Sequence, residues 1–170
     1  DGEAIPMTNP RFTAEYTADP GYVPVSIGAF DGITDDDPSY VASLPNYNPV
    51  YRGVMTSAQY SDFYADLVNP SDHVDIIRIF PRRDCCAFRY GGYRVVVIEA
   101  VTDAVFTCTA LDPVSNTQFV GSRHDTGMRW QCPSSLYLPN GAKSVGVLHN
   151  QDSYVQFTEI EVYGQRNVYM

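Results

Sequence analysis

Hydrophobic patterning changes along the chain at Pro70. Beyond it, short runs rich in Val, Ile, Tyr and Phe alternate with Gly, Pro, Asn or Asp. The runs are 73–80, 93–100, 104–111, 128–132, 144–149 and 154–163. Each has the length and composition of a strand, and the residues between them suit turns. The pattern predicts an all-β fold, an antiparallel sandwich or barrel. The last run changes phase: Val155 and Phe157 share one face, Ile160 and Val162 the other. A switch at Thr158-Glu159 predicts a β-bulge that re-aims Glu159. That carboxylate is then either a plain edge residue or a metal ligand or ion-pair partner.

Before Pro70 the pattern is less regular. Residues 1–24 are rich in Pro, Gly, Thr and Tyr and read as irregular structure with room for one edge strand. Residues 25–30 form a short apolar run, and Asp31-Gly32-Ile33-Thr34-Asp35-Asp36-Asp37-Pro38 an acidic turn. That turn is either a solvated loop or a calcium site, since calcium takes hard oxygen ligands. Its spacing does not fit an EF-hand. Residues 40–51 hold two prolines and three tyrosines and read as a long loop. In 57–68, Ser57 suits a helix cap, and Tyr60, Phe63, Tyr64 and Leu67 fall at roughly helical spacing. Phe63–Leu67 equally suits a short strand; the periodicity by itself favours the helix.

Composition narrows the class. A chain of 170 residues is large enough for one domain with a real core. Aromatics make up 13% and charged residues 18%, the profile of a globular protein. The net charge of −9 argues against a nucleic-acid partner. No apolar run approaches the ~20 residues of a membrane helix, so membrane insertion is not expected. The chain opens on Asp with no signal-peptide pattern, which reads as a processed chain or an excised domain. The four cysteines suggest an oxidising compartment. Cys108 and Cys132 form a natural pair, closing a loop of about 25 residues and contributing roughly 3 kcal/mol.

The chemistry concentrates in Arg82-Arg83-Asp84-Cys85-Cys86-Ala87-Phe88-Arg89. In an extended chain Arg82 and Asp84 share a face. Forked, permanently charged donors beside a carboxylate suit an array of hydroxyls, although a solvated basic loop is the plainer reading. The Cα atoms of Cys85 and Cys86 are about 3.8 Å apart in any fold. That is below the usual disulfide range of about 4.4–6.8 Å, so a bridge needs a strained small ring. Such a bridge makes a rigid, flat, sulfur-rich platform; the alternatives are two free thiols or half of a metal site. No further Cys or His stands close enough for zinc. No Ser or thiol lies in a recognisable nucleophile motif, so an enzyme is not expected.

These pieces, in this order, resemble the F-type lectins (fucolectins), whose fold is a discoidin-like antiparallel β-sandwich or jelly roll. Arg82-x-Asp84, four residues and Arg89 match the second half of that family's sugar-binding signature. Gly92-Tyr93-Arg94-Val95 looks like the strand that follows. Phe63-Tyr64-Ala65-Asp66-Leu67 resembles a family strand, which overrules the helix. Ala29-Phe30-Asp31-Gly32 is similar to the family's calcium-binding turn, and Glu159-Ile160-Glu161-Val162-Tyr163-Gly164 to its closing strand. The resemblance covers about 29–164, leaving 1–28 as an N-terminal extension at the domain edge and 165–170 as a tail.

It implies a secreted, calcium-stabilised lectin whose partners are glycans or glycoproteins, fucose or a related sugar foremost, with room for a homo-oligomer or a place in a larger extracellular assembly. Arg82, Asp84 and Arg89 would hold the sugar, with a Cys85–Cys86 vicinal disulfide against it. One calcium would sit near Asp31 and Glu159, completed by carbonyls of the turn 28–37, Gly28 and Ile33 among them. Two departures stand out. Met55-Thr56-Ser57 occupies the place of the signature histidine, and Thr158 that of a cysteine. A domain of this family that has lost sugar binding, serving structure or protein recognition, is the competing expectation.

Overall fold

Alternation sets the strands. In Phe63–Leu67 the odd positions are buried and the even ones half-buried. In Met128–Gln131, Met128 and Trp130 are buried while Arg129 and Gln131 are exposed. This is the period of two that puts successive side chains on opposite faces. The computed structural model describes residues 3–13, 39–40, 49–50, 54–55, 62–70, 72–80, 92–112, 127–149, 155–157 and 159–165. Their strands are β1 (Met7–Phe12), β2 (Ser39–Tyr40), β3 (Pro49–Val50), β4 (Val54–Met55), β5 (Phe63–Leu67), β6 (His73–Phe80), β7 (Arg94–Glu99), β8 (Val105–Thr107), β9 (Thr109–Ala110), β10 (Met128–Gln131), β11 (Ala142–Leu148), β12 (Gln156–Phe157) and β13 (Glu159–Gln165).

A five-stranded sheet has the order β1-β5-β11-β7-β8, and a four-stranded sheet the order β13-β6-β10-β9. All neighbours in both are antiparallel. Two short ladders, β12–β4 and β2–β3, accompany them. Val95, Val97, Val145 and Val147 from one sheet and Ile77, Ile79, Ile160 and Val162 from the other belong to one hydrophobic core. The arrangement is β-sandwich-like. Phe63 meets Phe157 edge to face at 5.1 Å and Phe12 at 5.9 Å. Fully burying one such side chain contributes about 1.5–3 kcal/mol.

Three expectations from sequence need correction or sharpening. Phe63–Leu67 is a strand, not a helix: it pairs with β1 on one side and β11 on the other. A helix cannot supply those two ladders, and tertiary pairing overrides local spacing. The phase change in 154–163 is not a bulge within one ladder. Between Phe157 and Glu159 the chain changes partner, because β12 pairs with β4 whereas β13 pairs with β6. The bulge of that region lies farther on, between Tyr163 and Gly164. Likewise the run 104–111 is two strands, β8 on β7 and β9 on β10, parted at Cys108. The edge strand allowed for in 1–24 is β1, at the margin of the five-stranded sheet. The long loop read at 40–51 is bracketed by the β2–β3 ladder.

Cys108 and Cys132 are bonded, with Cα atoms 4.2 Å apart. The Cys108 N–H donates to Val95 in the five-stranded sheet, and the Cys132 N–H to Asp75 in the four-stranded one, both at 2.8 Å. The bond therefore straps the two sheets together through the core. No helix among the described residues is long and apolar enough to cross a membrane.

Candidate ligand-binding end of the sandwich

β6 begins beside Ala142, whose N–H donates to the Asp72 carbonyl at 2.9 Å. Ala142 lies opposite Glu99, at the far end of β7 from Arg94. Farther along β6, Asp75 sits next to the disulfide that reaches Val95. β6 thus runs toward the Arg94 end of its neighbouring sheet. The segment between Phe80 and Arg94 joins one sheet to the other at that end. It contains the arginine-cysteine motif.

Phe80 lies opposite Glu159 in the β13–β6 ladder. Glu159 and Phe80 are 3% and 4% exposed, although both fall on the outward phase of their strands. A carboxylate that deep is costly unless other groups compensate its charge. Phe157, just before it, packs on Phe63. β4, which leads into Met55-Thr56-Ser57, pairs with Gln156 and Phe157. β1 leaves the sheet here too: the Thr13 N–H donates to the Asp62 carbonyl and its Oγ1 accepts from the Asp62 N–H, both at 2.9 Å. Asp62 Oδ1 in turn accepts from the His149 N–H at 2.9 Å and meets His149 Nδ1 at 2.6 Å.

Of the residues singled out in sequence, Glu159, Cys108 and Cys132 are therefore located. Arg82, Asp84, Cys85, Cys86 and Arg89 lie outside the described residues, as do Gly28, Asp31 and Ile33. Among the described residues no group of three or more His, Cys, Asp and Glu is placed to hold a metal ion. Of the residues that the sequence resemblance implies as calcium ligands, Glu159 is the one described. It stands at the end of the sandwich where β1 and β6 finish. No protein-family model matches the chain, and no curated protein matches it in sequence.

Some polar groups escape a linear reading because their partners are remote. His149 and Asp62 are 87 residues apart in sequence. His73 Nε2, by contrast, meets Asp75 Oδ1 at 2.9 Å, a pairing that the spacing of two in a strand would have suggested. Asp66 Oδ1 accepts from Arg11 Nη1 at 3.0 Å and Ser144 Oγ at 2.7 Å, and Oδ2 accepts from Asn9 Nδ2 at 3.0 Å. Burial alone would raise this carboxyl, but the hydrogen bonds from Asn9, Ser144 and Arg11, with the Arg11 charge, hold it below the usual range. On the four-stranded sheet, Arg129 grips buried Asp112 through Nε at 3.1 Å and Nη2 at 3.2 Å. Next to it, the Arg78 guanidinium lies 5.4 Å from the centre of the Tyr163 ring. Burial, then the hydrogen bond to Glu161, pushes the Tyr163 phenol up to about 12.

Proposed function

We propose that the protein is an extracellular, calcium-stabilised lectin of the F-type kind, with a discoidin-like fold, that binds fucose or a related glycan. Arg82 and Arg89 donate to sugar oxygens, Asp84 orients them, and a Cys85–Cys86 disulfide lies against the sugar's apolar face. Calcium joins Asp31 and the carbonyls of Gly28 and Ile33 to Glu159. The observation that carries this reading is the Arg82-x-Asp84-Cys85-Cys86-x-x-Arg89 motif on the connection from β6 to β7. Both anchoring strands belong to the all-β core, and Phe80 at the start of that connection pairs with Glu159. The bonded Cys108 and Cys132 are compatible with an oxidising, extracellular setting.

Forked guanidinium donors suit this task, since each offers several N–H groups in fixed geometry to hydroxyl and ring oxygens. Glycan-array binding with and without calcium tests the reading, followed by calorimetry on wild type, Arg82→Ala and Arg89→Ala. Each alanine variant should bind about tenfold more weakly or worse, because hydrogen bonds to charged groups contribute about 1.5–3 kcal/mol. Equal affinity in wild type and both variants refutes the assignment of the site. A second reading rests on Met55-Thr56-Ser57 where the signature histidine would stand: a domain that kept the fold for structure or protein recognition. Absence of binding across a broad glycan panel selects it.

A further inference from the structure

Asparagine is followed by glycine once in the chain, at Asn140-Gly141. The pair is chemically reactive. The Gly141 nitrogen can attack the Asn140 side-chain carbonyl carbon and close a small succinimide ring, since glycine has no side chain to obstruct it. Asn9, Asn48 and Asn69 precede proline, whose nitrogen carries no hydrogen and cannot follow this route. Asn46, Asn116, Asn150 and Asn167 precede Tyr, Thr, Gln and Val, whose side chains crowd the ring.

The fold places the pair on the turn that leads into β11, beside the Glu99 end of β7. Asn140 is exposed and Gly141 is buried. The Gly141 N–H donates to the Leu138 carbonyl at 3.0 Å and closes the turn Leu138-Pro139-Asn140-Gly141. Pro139 stands second, Asn140 third without a positive φ, and Gly141 fourth, as a type I turn prefers. Gly141 itself has φ 76°, a conformation glycine adopts readily, so the turn selects the reactive pair. Its carbonyl accepts from the Ala100 N–H at 3.0 Å, which ties this turn to the one between β7 and β8. In that second turn the Glu99 carboxylate accepts from the Thr102 hydroxyl and from the Val101 and Thr102 N–H groups, and the Asn140 side chain adds a further hydrogen bond.

We propose that Asn140 is a site of spontaneous covalent modification, converted slowly through a succinimide to aspartate or isoaspartate, and that the product loosens the two turns joined at Gly141. The Gly141 nitrogen bonds to Asn140 Cγ, the Cγ–Nδ2 bond breaks, and Nδ2 leaves as ammonia with the proton from Gly141. Water then opens the ring at either carbonyl. One opening leaves an aspartate side chain; the other passes the main chain through Cβ and gives isoaspartate, with an extra methylene in the backbone. The balance is one water in and one ammonia out. The folded turn slows the first step, because the attacking nitrogen is held as a donor to Leu138 and the Asn140 side chain is held by Glu99. Reaction therefore waits on local opening. Either product puts a carboxylate where an amide donor met Glu99, so like charges face each other. The extra methylene also displaces Gly141 from Leu138 and Ala100.

The test follows the full wild-type chain at neutral pH, folded in buffer and unfolded in urea, by peptide mass mapping at intervals. The peptide bearing Asn140 should convert to an aspartate and isoaspartate doublet before any other asparagine peptide. Conversion should be about tenfold or more slower in the folded protein, since the hydrogen bonds of the turn break first. Asn140→Asp, which stands in for one product, should lower Tm by about 2–4 °C. In a Glu99→Gln background that fall should shrink to about half, because the facing charge is gone. Asn140 is exposed, so its variant folds, and the mapping needs no variant at all. The proposal is overturned if another asparagine converts first in either state, if folded and unfolded rates are equal, or if the folded rate is more than about a thousandfold lower. It is also overturned if Asn140→Asp melts with wild type, or if Glu99→Gln leaves the fall unchanged.

Discussion

Removing the Cys108–Cys132 bond should destabilise the protein by about 3.5 kcal/mol. The relevant variant is Cys108→Ala/Cys132→Ala, since serines would place hydroxyls in an apolar core. Both sulfurs come from buried residues, and the bond spans 24 residues of sequence. In the chain-entropy model a closed loop of that size loses about 12 cal/mol/K in the unfolded state, hence the ~3.5 kcal/mol at 25 °C. Total stability of a domain is typically about 5–15 kcal/mol, so this is a large fraction. For a chain of 150–250 residues each kcal/mol moves Tm by about 2–4 °C, which gives a fall of about 7–14 °C. The bond has a second role, because Cys108 hydrogen-bonds into one sheet and Cys132 into the other. Its loss should therefore raise amide exchange at positions 108 and 132, whose N–H groups make these bonds, more than at the β13–β6 ladder. Thermal melts by circular dichroism measure the first effect, and urea titration should show a lower midpoint with a larger slope, as the unfolded chain expands. A Tm within about 2 °C of wild type would refute the reasoning.

The remaining predictions concern single residues. Hydrogen bonds from the Thr102 hydroxyl, then the Val101 and Thr102 N–H groups, pull the Glu99 carboxyl down to about 2. A depressed folded-state pKa stabilises above the ordinary value of 4.5 and is lost as pH falls through about 2. Melting temperature should therefore drop less steeply over that acid range in Glu99→Gln than in wild type; equal slopes would count against the assignment. Gly164→Ala should be more damaging than Gly146→Ala. A Cβ at Gly164 would sit 1.9 Å from the His73 carbonyl oxygen, which is backbone, whereas at Gly146 it meets side chains from 2.8 Å outward. Overpacking at Gly146 should cost about 1–3 kcal/mol by urea unfolding, with Gly164→Ala lower still or unfolded. Calcium in hundredfold excess over its Kd should add about 2.7 kcal/mol of stability. Glu159→Gln should abolish most of that gain; an unchanged calcium-dependent melt in the variant removes Glu159 from the metal site.

Much of the β architecture was legible from local pattern. The run 73–80 coincides with β6, and the runs at 93–100, 128–132 and 144–149 match β7, β10 and β11 to within two residues. These runs lie between turn residues and pair along most of their length. The failures share one cause. Phe63–Leu67 follows helical spacing from Tyr60 and Tyr64, yet two ladders claim it. The runs at 104–111 and 154–163 are continuous in composition but divide where the chain changes sheet. Local hydrophobicity records that a residue is buried, not against which sheet.

The candidate chemistry divides in the same way. Residue identity alone singles out Arg82, Asp84, Cys85, Cys86 and Arg89, because adjacent cysteines and forked cations in one short segment are a local property. Residue identity also suggested pairing Cys108 with Cys132, since a disulfide between them closes one simple loop. Tertiary structure alone decided that this bond straps two sheets, that Glu159 is buried opposite Phe80, and that Tyr64 lies over Gly146. It alone brought Asp62 to His149 and Asn9, Arg11 and Ser144 to Asp66. Such pairs depend on strand order and register, which are set by the summed packing of the whole core. A register shift of one residue would move every one of these side chains to the opposite face.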